Sequence, residues 1–147
     1  MTCQDVMTEN PECCVPDDTA ATVAGIMKTE DVGSVPVCES SRSRRLVGIV
    51  TDRDLALHVV AEERDPSSTL VRDVMTRDPI TCRPEDDLLQ AIEGMQRRQV
   101  RRIPIVDREG MLGGIIAQAD IATRFGEPEK TAETLEEISR PSTARAA

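Results

Sequence analysis

The chain repeats itself, and that limits its fold to two copies of one small unit. Residues 5–37 align with residues 73–105 at an offset of 68. Eleven of these 33 pairs are identical, where chance gives roughly two. Asp5-Val6-Met7-Thr8 falls on Asp73-Val74-Met75-Thr76, Pro11 on Pro79, Cys14 on Cys82, Pro16 on Pro84 and Pro36 on Pro104. Further along the offset becomes 66, matching Gly48-Ile49 to Gly114-Ile115 and Asp54 to Asp120. The first copy therefore carries two additional residues, assigned to the polar stretch Glu39–Arg45, which reads as a surface loop.

Both copies share one grammar. A short stretch, Cys13–Val15 or Ile80–Cys82, precedes a proline and acidic residues suited to starting a helix. The helix that follows is amphipathic. Ala20, Val23, Ala24 and Met27 recur at helical spacing in the first copy, as do Leu88, Ala91, Ile92 and Met95 in the second. Apolar strands follow at 34–38 and 46–50, and at 102–106 and 111–116. A second helix starts near Asp54 or Asp120. The expectation is an α+β fold of two β-α-β-β-α repeats at 3–60 and 71–126, with a linker at 61–70. Residues 127–147 are expected to form a C-terminal helix, at 129–138, and a disordered tail.

Composition narrows the function. With one Phe and no Trp or Tyr, the core must be aliphatic, and base recognition by aromatic stacking is disfavoured. A net charge of -9 opposes binding to a phosphate backbone, so no nucleic-acid partner is expected. No apolar run reaches membrane-spanning length, and Met1–Asp5 lacks a signal-peptide pattern, so a cytoplasmic location and no membrane partner are expected. Five cysteines without Cys-x-x-Cys spacing, and a single histidine, nominate no metal site.

The paired Asp-Val-Met-Thr openings, the paired Val35-Pro36-Val37 and Ile103-Pro104-Ile105 strands, and Gly48-Ile49-Val50-Thr51-Asp52-Arg53-Asp54 resemble the tandem CBS domain, or Bateman module, over residues 3–126. The resemblance implies a CBS-domain pair packed sheet to sheet, with clefts for an adenosine-containing regulatory ligand: AMP, ADP, ATP, NAD or S-adenosylmethionine. It implies that Asp54 accepts hydrogen bonds from ribose hydroxyls and Thr51 meets phosphate. An ionised carboxylate can take two hydroxyl donors at once. It also implies that Ile80, Thr81, Val100 and Arg101 form the other wall of that cleft. There Ile80 and Val100 pack on adenine, and Arg101 or Arg102 neutralises phosphate. Val32, Gly33 and Asp120 would line a weaker cleft, because Ala117 stands where the first copy has Thr51.

The resulting reading is a non-enzymatic, ligand-sensing homodimer that requires no cofactor and acts on a separate effector protein or buffers its ligand. An enzyme would need a nucleophile–base pair, a phosphate loop or a metal motif, and none is nominated. A third reading is a dimerisation or stress-response module with empty clefts. Asp54 has a competing role as a helix cap, and Arg97, Arg98, Arg101 and Arg102 as an ordinary solvated face. The family's neighbouring strands would place Cys14 beside Cys38, either as two reduced core residues or as a reversible disulfide that makes the first repeat redox-sensitive.

Overall fold

The structure, a computed structural model, describes residues 1–124; the helix expected at 129–138 and the disordered tail lie outside the described residues. In chain order the elements are α1 (Cys3–Val6), β1 (Thr8–Glu9), α2 (Ala20–Glu30), β2 (Ser34–Ser40), β3 (Ser43–Thr51), α3 (Asp52–Leu55), β4 (Thr76–Arg77), α4 (Leu88–Arg98), β5 (Arg102–Val106), β6 (Leu112–Ala117) and α5 (Gln118–Arg124). A π-helical turn, Ala56–Val60, continues α3, and a 3-10 turn, Val71–Asp73, precedes β4.

The strands form two three-stranded sheets, ordered β2-β3-β4 and β1-β6-β5. The sheets sit in two compact units. The first holds Pro11–Pro79 with Glu109–Leu112, and the second holds Met1–Asn10, Ile80–Arg108 and the described residues from Gly113. Each Asp-Val-Met-Thr opening thus docks on the other copy. Thr76 pairs with Ile49, and Thr8 with Ile115.

The two dockings use the same backbone bonds. Val71 N–H donates to Asp18 O at 2.8 Å, as Cys3 N–H donates to Asp86 O at 2.9 Å. The dockings also satisfy helix N-termini, whose first N–H groups have no partner within the helix. Ala20 N–H of α2 donates to Thr69 O at 2.8 Å, and Leu88 N–H of α4 to Met1 O at 3.0 Å. The expected linker is thereby built into the first unit through Pro66 and Thr69, which cap α2.

The cores are aliphatic. In the first unit Cys14, Val23, Met27, Val35, Val37, Val50 and Val71 cluster. In the second, Leu88, Ala91, Ile92, Met95, Ile103, Ile105, Ile116 and Ile121 cluster around Cys3 and Cys82. The adjoining Cys82 thiol, with burial, pushes the Cys3 thiol well above its ordinary range, while the same contact holds Cys82 below.

Three sequence expectations change. Ala24 is exposed, because α2 turns Ala20, Val23 and Met27 inward. The stretches expected as opening strands at 13–15 and 80–82 are single parallel bridges, Cys14 to Val37 and Cys82 to Ile105. Glu39–Arg45 is a tight hairpin rather than a loop. Ser40 faces Ser43, and register shifts between Val37 and Ser40 absorb the added residues.

Candidate functional site

The β3–α3 corner of the first unit is built by a capping box. Thr51 is the N-cap, and its Oγ1 accepts from Asp54 N–H at 3.0 Å. Asp54 Oδ2 accepts from Thr51 N–H at 2.9 Å in return. This arrangement satisfies two N–H groups that the short helix cannot pair itself. It spends only part of each side chain. Thr51 keeps its O–H as a donor, and Asp54 Oδ1 has no hydrogen bond among the described residues. The cap and a ligand role for these two residues are therefore compatible.

Two further groups meet the corner. Gly33 O accepts from Asp52 N–H at 2.9 Å, which brings Val32 and Gly33 beside it. Ser34 is the cross-strand partner of Thr51, so the two side chains share a sheet face. Ser34 is buried, yet its Oγ has no hydrogen-bond partner among the described residues. A buried hydroxyl left unpaired is costly, and such a group is a sign that something polar completes the site. No sequence motif singles out Ser34. Its burial at a strand start could be read only once the strand was placed.

The second unit repeats the corner without the hydroxyl. Asp120 Oδ2 accepts from Ala117 N–H at 2.9 Å, and Gln118 N–H donates to Arg101 O at 2.9 Å. Ala117 supplies no hydroxyl. Gln118 Oε1 is buried without a partner, as Ser34 Oγ is in the first unit. Val100, Arg101, Arg102 and Asp120 thus belong to one unit, and Val32, Gly33, Thr51 and Asp54 to the other. Ile80 and Val100 are half-buried and pack on the second core, while Thr81 is exposed. Arg101 is exposed and Arg102 half-buried, and neither forms an ion pair among the described residues.

All five cysteines are free thiols. Cys14 and Val37 face each other in a parallel bridge, so both point into the first core, where Cys14 Sγ lies 3.7 Å from Pro36 O. Cys38, one residue on, points to the opposite face and meets Cys13 instead. Burial, and then the Cys13 contact, push the Cys38 thiol up to about 12.

No helix among the described residues is long and apolar enough to cross a membrane, and no group of three or more His, Cys, Asp or Glu among them is placed to hold a metal ion.

The duplicated corner, the exchanged openings and the two three-stranded sheets describe a tandem module of one kind. A family model for the CBS domain matches residues 3–61 and 71–127. The chain belongs to the CBS domain family. It is 35% identical to the CBS domain-containing protein YhcV of Bacillus subtilis, across 92% of this chain and 94% of that one. Among solved structures, Hypoxic Response Protein I, crystallised with two coordinated zinc ions, shares 27% identity at a TM-score of 0.76, covering 84% of this chain and 98% of that one. CBSX2 in complex with AMP shares 24% at a TM-score of 0.69, covering 92% and 98%. The CBS pair of MJ0100, in complex with 5′-methylthioadenosine and S-adenosylmethionine, shares 22% at 0.76, covering 86% and 100%.

Proposed function

We propose that this protein is a regulatory module that binds an adenosine-containing ligand and passes its occupancy to a separate partner protein, or buffers the ligand. One observation carries the reading. At the Thr51–Asp54 corner the cap leaves a carboxylate oxygen, a hydroxyl donor and the unpaired Ser34 hydroxyl unspent in one place. A ribose diol and a phosphate supply the complementary donors and acceptors. The adenosine ligands of CBSX2 and of the MJ0100 pair support the same class.

Within this reading Asp54 holds ribose and Thr51 meets phosphate. Ile80 and Val100 offer apolar faces suited to adenine, with Thr81 beside Ile80 in the same wall and backbone groups reading the adenine edge. Arg101 or Arg102 supplies the cation for phosphate, since a guanidinium can contact it with two parallel N–H groups. Val32, Gly33 and Asp120 serve the weaker site, which lacks the Thr51 hydroxyl. The reading assigns no chemistry to the bound ligand.

Calorimetry with AMP and adenosine tests the phosphate role. Arg101→Ala or Arg102→Ala should weaken AMP about tenfold, the scale of one charge-assisted contact, and leave adenosine nearly unchanged. If both variants keep the AMP-to-adenosine affinity ratio, the assignment is wrong.

The module is proposed to act as a homodimer. Leu57 and Val60 on the π-helical turn are 44% and 74% exposed, large apolar groups that a second copy of the chain would cover. Light scattering should give twice the chain mass at micromolar concentration; a monomer mass throughout removes the idea.

A further inference from the structure

We propose that Cys13 and Cys38 form a peroxide-responsive thiol pair, with Arg44 as the residue that positions and polarises the reactive sulfur. This stands apart from the ligand-binding reading and uses different side chains.

Strand parity carries the pairing. Cys14 lies opposite Val37, and Cys38 N–H donates to Cys14 O at 2.8 Å. Side chains alternate along such segments, so Cys14 and Val37 take the core face, and Cys13 and Cys38 take the other. On β3, Leu46 is the partner of Cys38, and Arg44 lies in the stretch between Leu46 and Ser43 where the register shifts. The Arg44 guanidinium then reaches Cys13: Nη1–H donates to Cys13 Sγ at 3.7 Å. It is held there by Pro11 O at 3.1 Å and Leu112 O at 3.2 Å.

Access assigns the roles. Cys13 is half-buried and reachable, whereas Cys38 is fully buried. A reactive thiol wants some exposure, a cation nearby and a second thiol to resolve it. The fold does not demand these residues. At the matching positions the second copy has Thr81 and Val106, and Arg44 lies in the hairpin where the first copy is longer.

The chemistry uses hydrogen peroxide as oxidant. The Cys13 thiolate attacks one peroxide oxygen. The S–O bond forms, the O–O bond breaks, and the released hydroxide takes a proton to become water. Cys38 sulfur then attacks the Cys13 sulfenic acid. The S–S bond forms, the S–O bond breaks, and the Cys38 proton leaves with the oxygen as a second water. Two thiols are oxidised and one peroxide is reduced. A dithiol reverses the bond by exchange.

The test treats the full chain with hydrogen peroxide at a small molar excess, alkylates the remaining thiols, and maps the peptides by mass spectrometry over time. A Cys13–Cys38 link should appear first, and dithiothreitol should remove it. Cys14 should alkylate only after denaturation. Cys13→Ser should abolish the link, and Arg44→Gln should slow it at least threefold with the thermal melt of the reduced protein unchanged. A Cys14–Cys38 or Cys3–Cys82 link forming first overturns the proposal, as does oxidation of Cys13 that never proceeds to a link. An unchanged rate in Arg44→Gln overturns the role of Arg44.

Discussion

Gly48→Val should destabilise the protein by about 1–3 kcal/mol, the usual cost of forcing carbon into a closely packed place. Gly48 pairs with Arg77, where β4 lies against β3. A Cβ added there would come within 2.8 Å of Thr76 O and 2.9 Å of Met75 Sδ. A methionine can swing aside, but Thr76 O belongs to the docked strand and cannot move without loosening it. The second unit repeats the constraint at Gly114, where a Cβ would meet Met7 Sδ at 2.5 Å and Thr8 O at 3.1 Å. Both glycines thus admit the exchanged openings. Gly25, in α2, has nothing within 4 Å of an added Cβ, so Gly25→Ala should stabilise by about 0.5–1 kcal/mol. Urea midpoints moving in opposite directions for these two variants would support the docking. A Gly48→Val midpoint equal to wild type would contradict it.

Asp54→Ala should weaken adenosine-ligand binding about ten- to a hundredfold, because a charge-assisted hydrogen bond contributes about 1.5–3 kcal/mol. Asp120→Ala should cost less. Both carboxylates clasp a backbone N–H through Oδ2 in the same way, but the clasped residue is Thr51, with a hydroxyl, at Asp54 and Ala117, without one, at Asp120. Alanine also removes half of the capping box, so Asp54→Asn is the sharper probe. Its amide oxygen can still accept from Thr51 N–H, while the charge that a ribose diol would exploit is gone. Asp54→Asn should therefore keep near-native stability and lose most of the affinity that Asp54→Ala loses. Equal losses at Asp54 and Asp120 in calorimetry would refute the asymmetry.

Much of the scaffold was legible because it is written twice. The offset of 68 aligned the two helices, the prolines and the acidic residues that start α2 and α4. Which copy each opening docks on was not legible. Identical Asp-Val-Met-Thr segments fit either partner equally well as sequence, and only chain geometry decides between them. The same limit explains the cysteines. Alternation alone put Cys13 and Cys14 on opposite faces, but which of them Cys38 joins depends on the register of the bridge between Cys14 and Val37. At the corner, Thr51 and Asp54 were found through the repeat and the resemblance. Ser34 was missed, because a serine at a strand start looks ordinary until its hydroxyl is found buried and unpaired. The capping box shows how structure and ligand recognition can share residues, since an N-cap threonine and its N3 carboxylate retain unspent hydrogen-bonding capacity.

A crystal structure of the full chain grown with saturating AMP tests the central claim most directly. The account predicts ribose hydroxyls within about 2.6–3.0 Å of Asp54 Oδ1 and the Thr51 hydroxyl donating to phosphate. AMP density at Asp120 alone, or an empty Asp54 corner at saturating ligand, would contradict it.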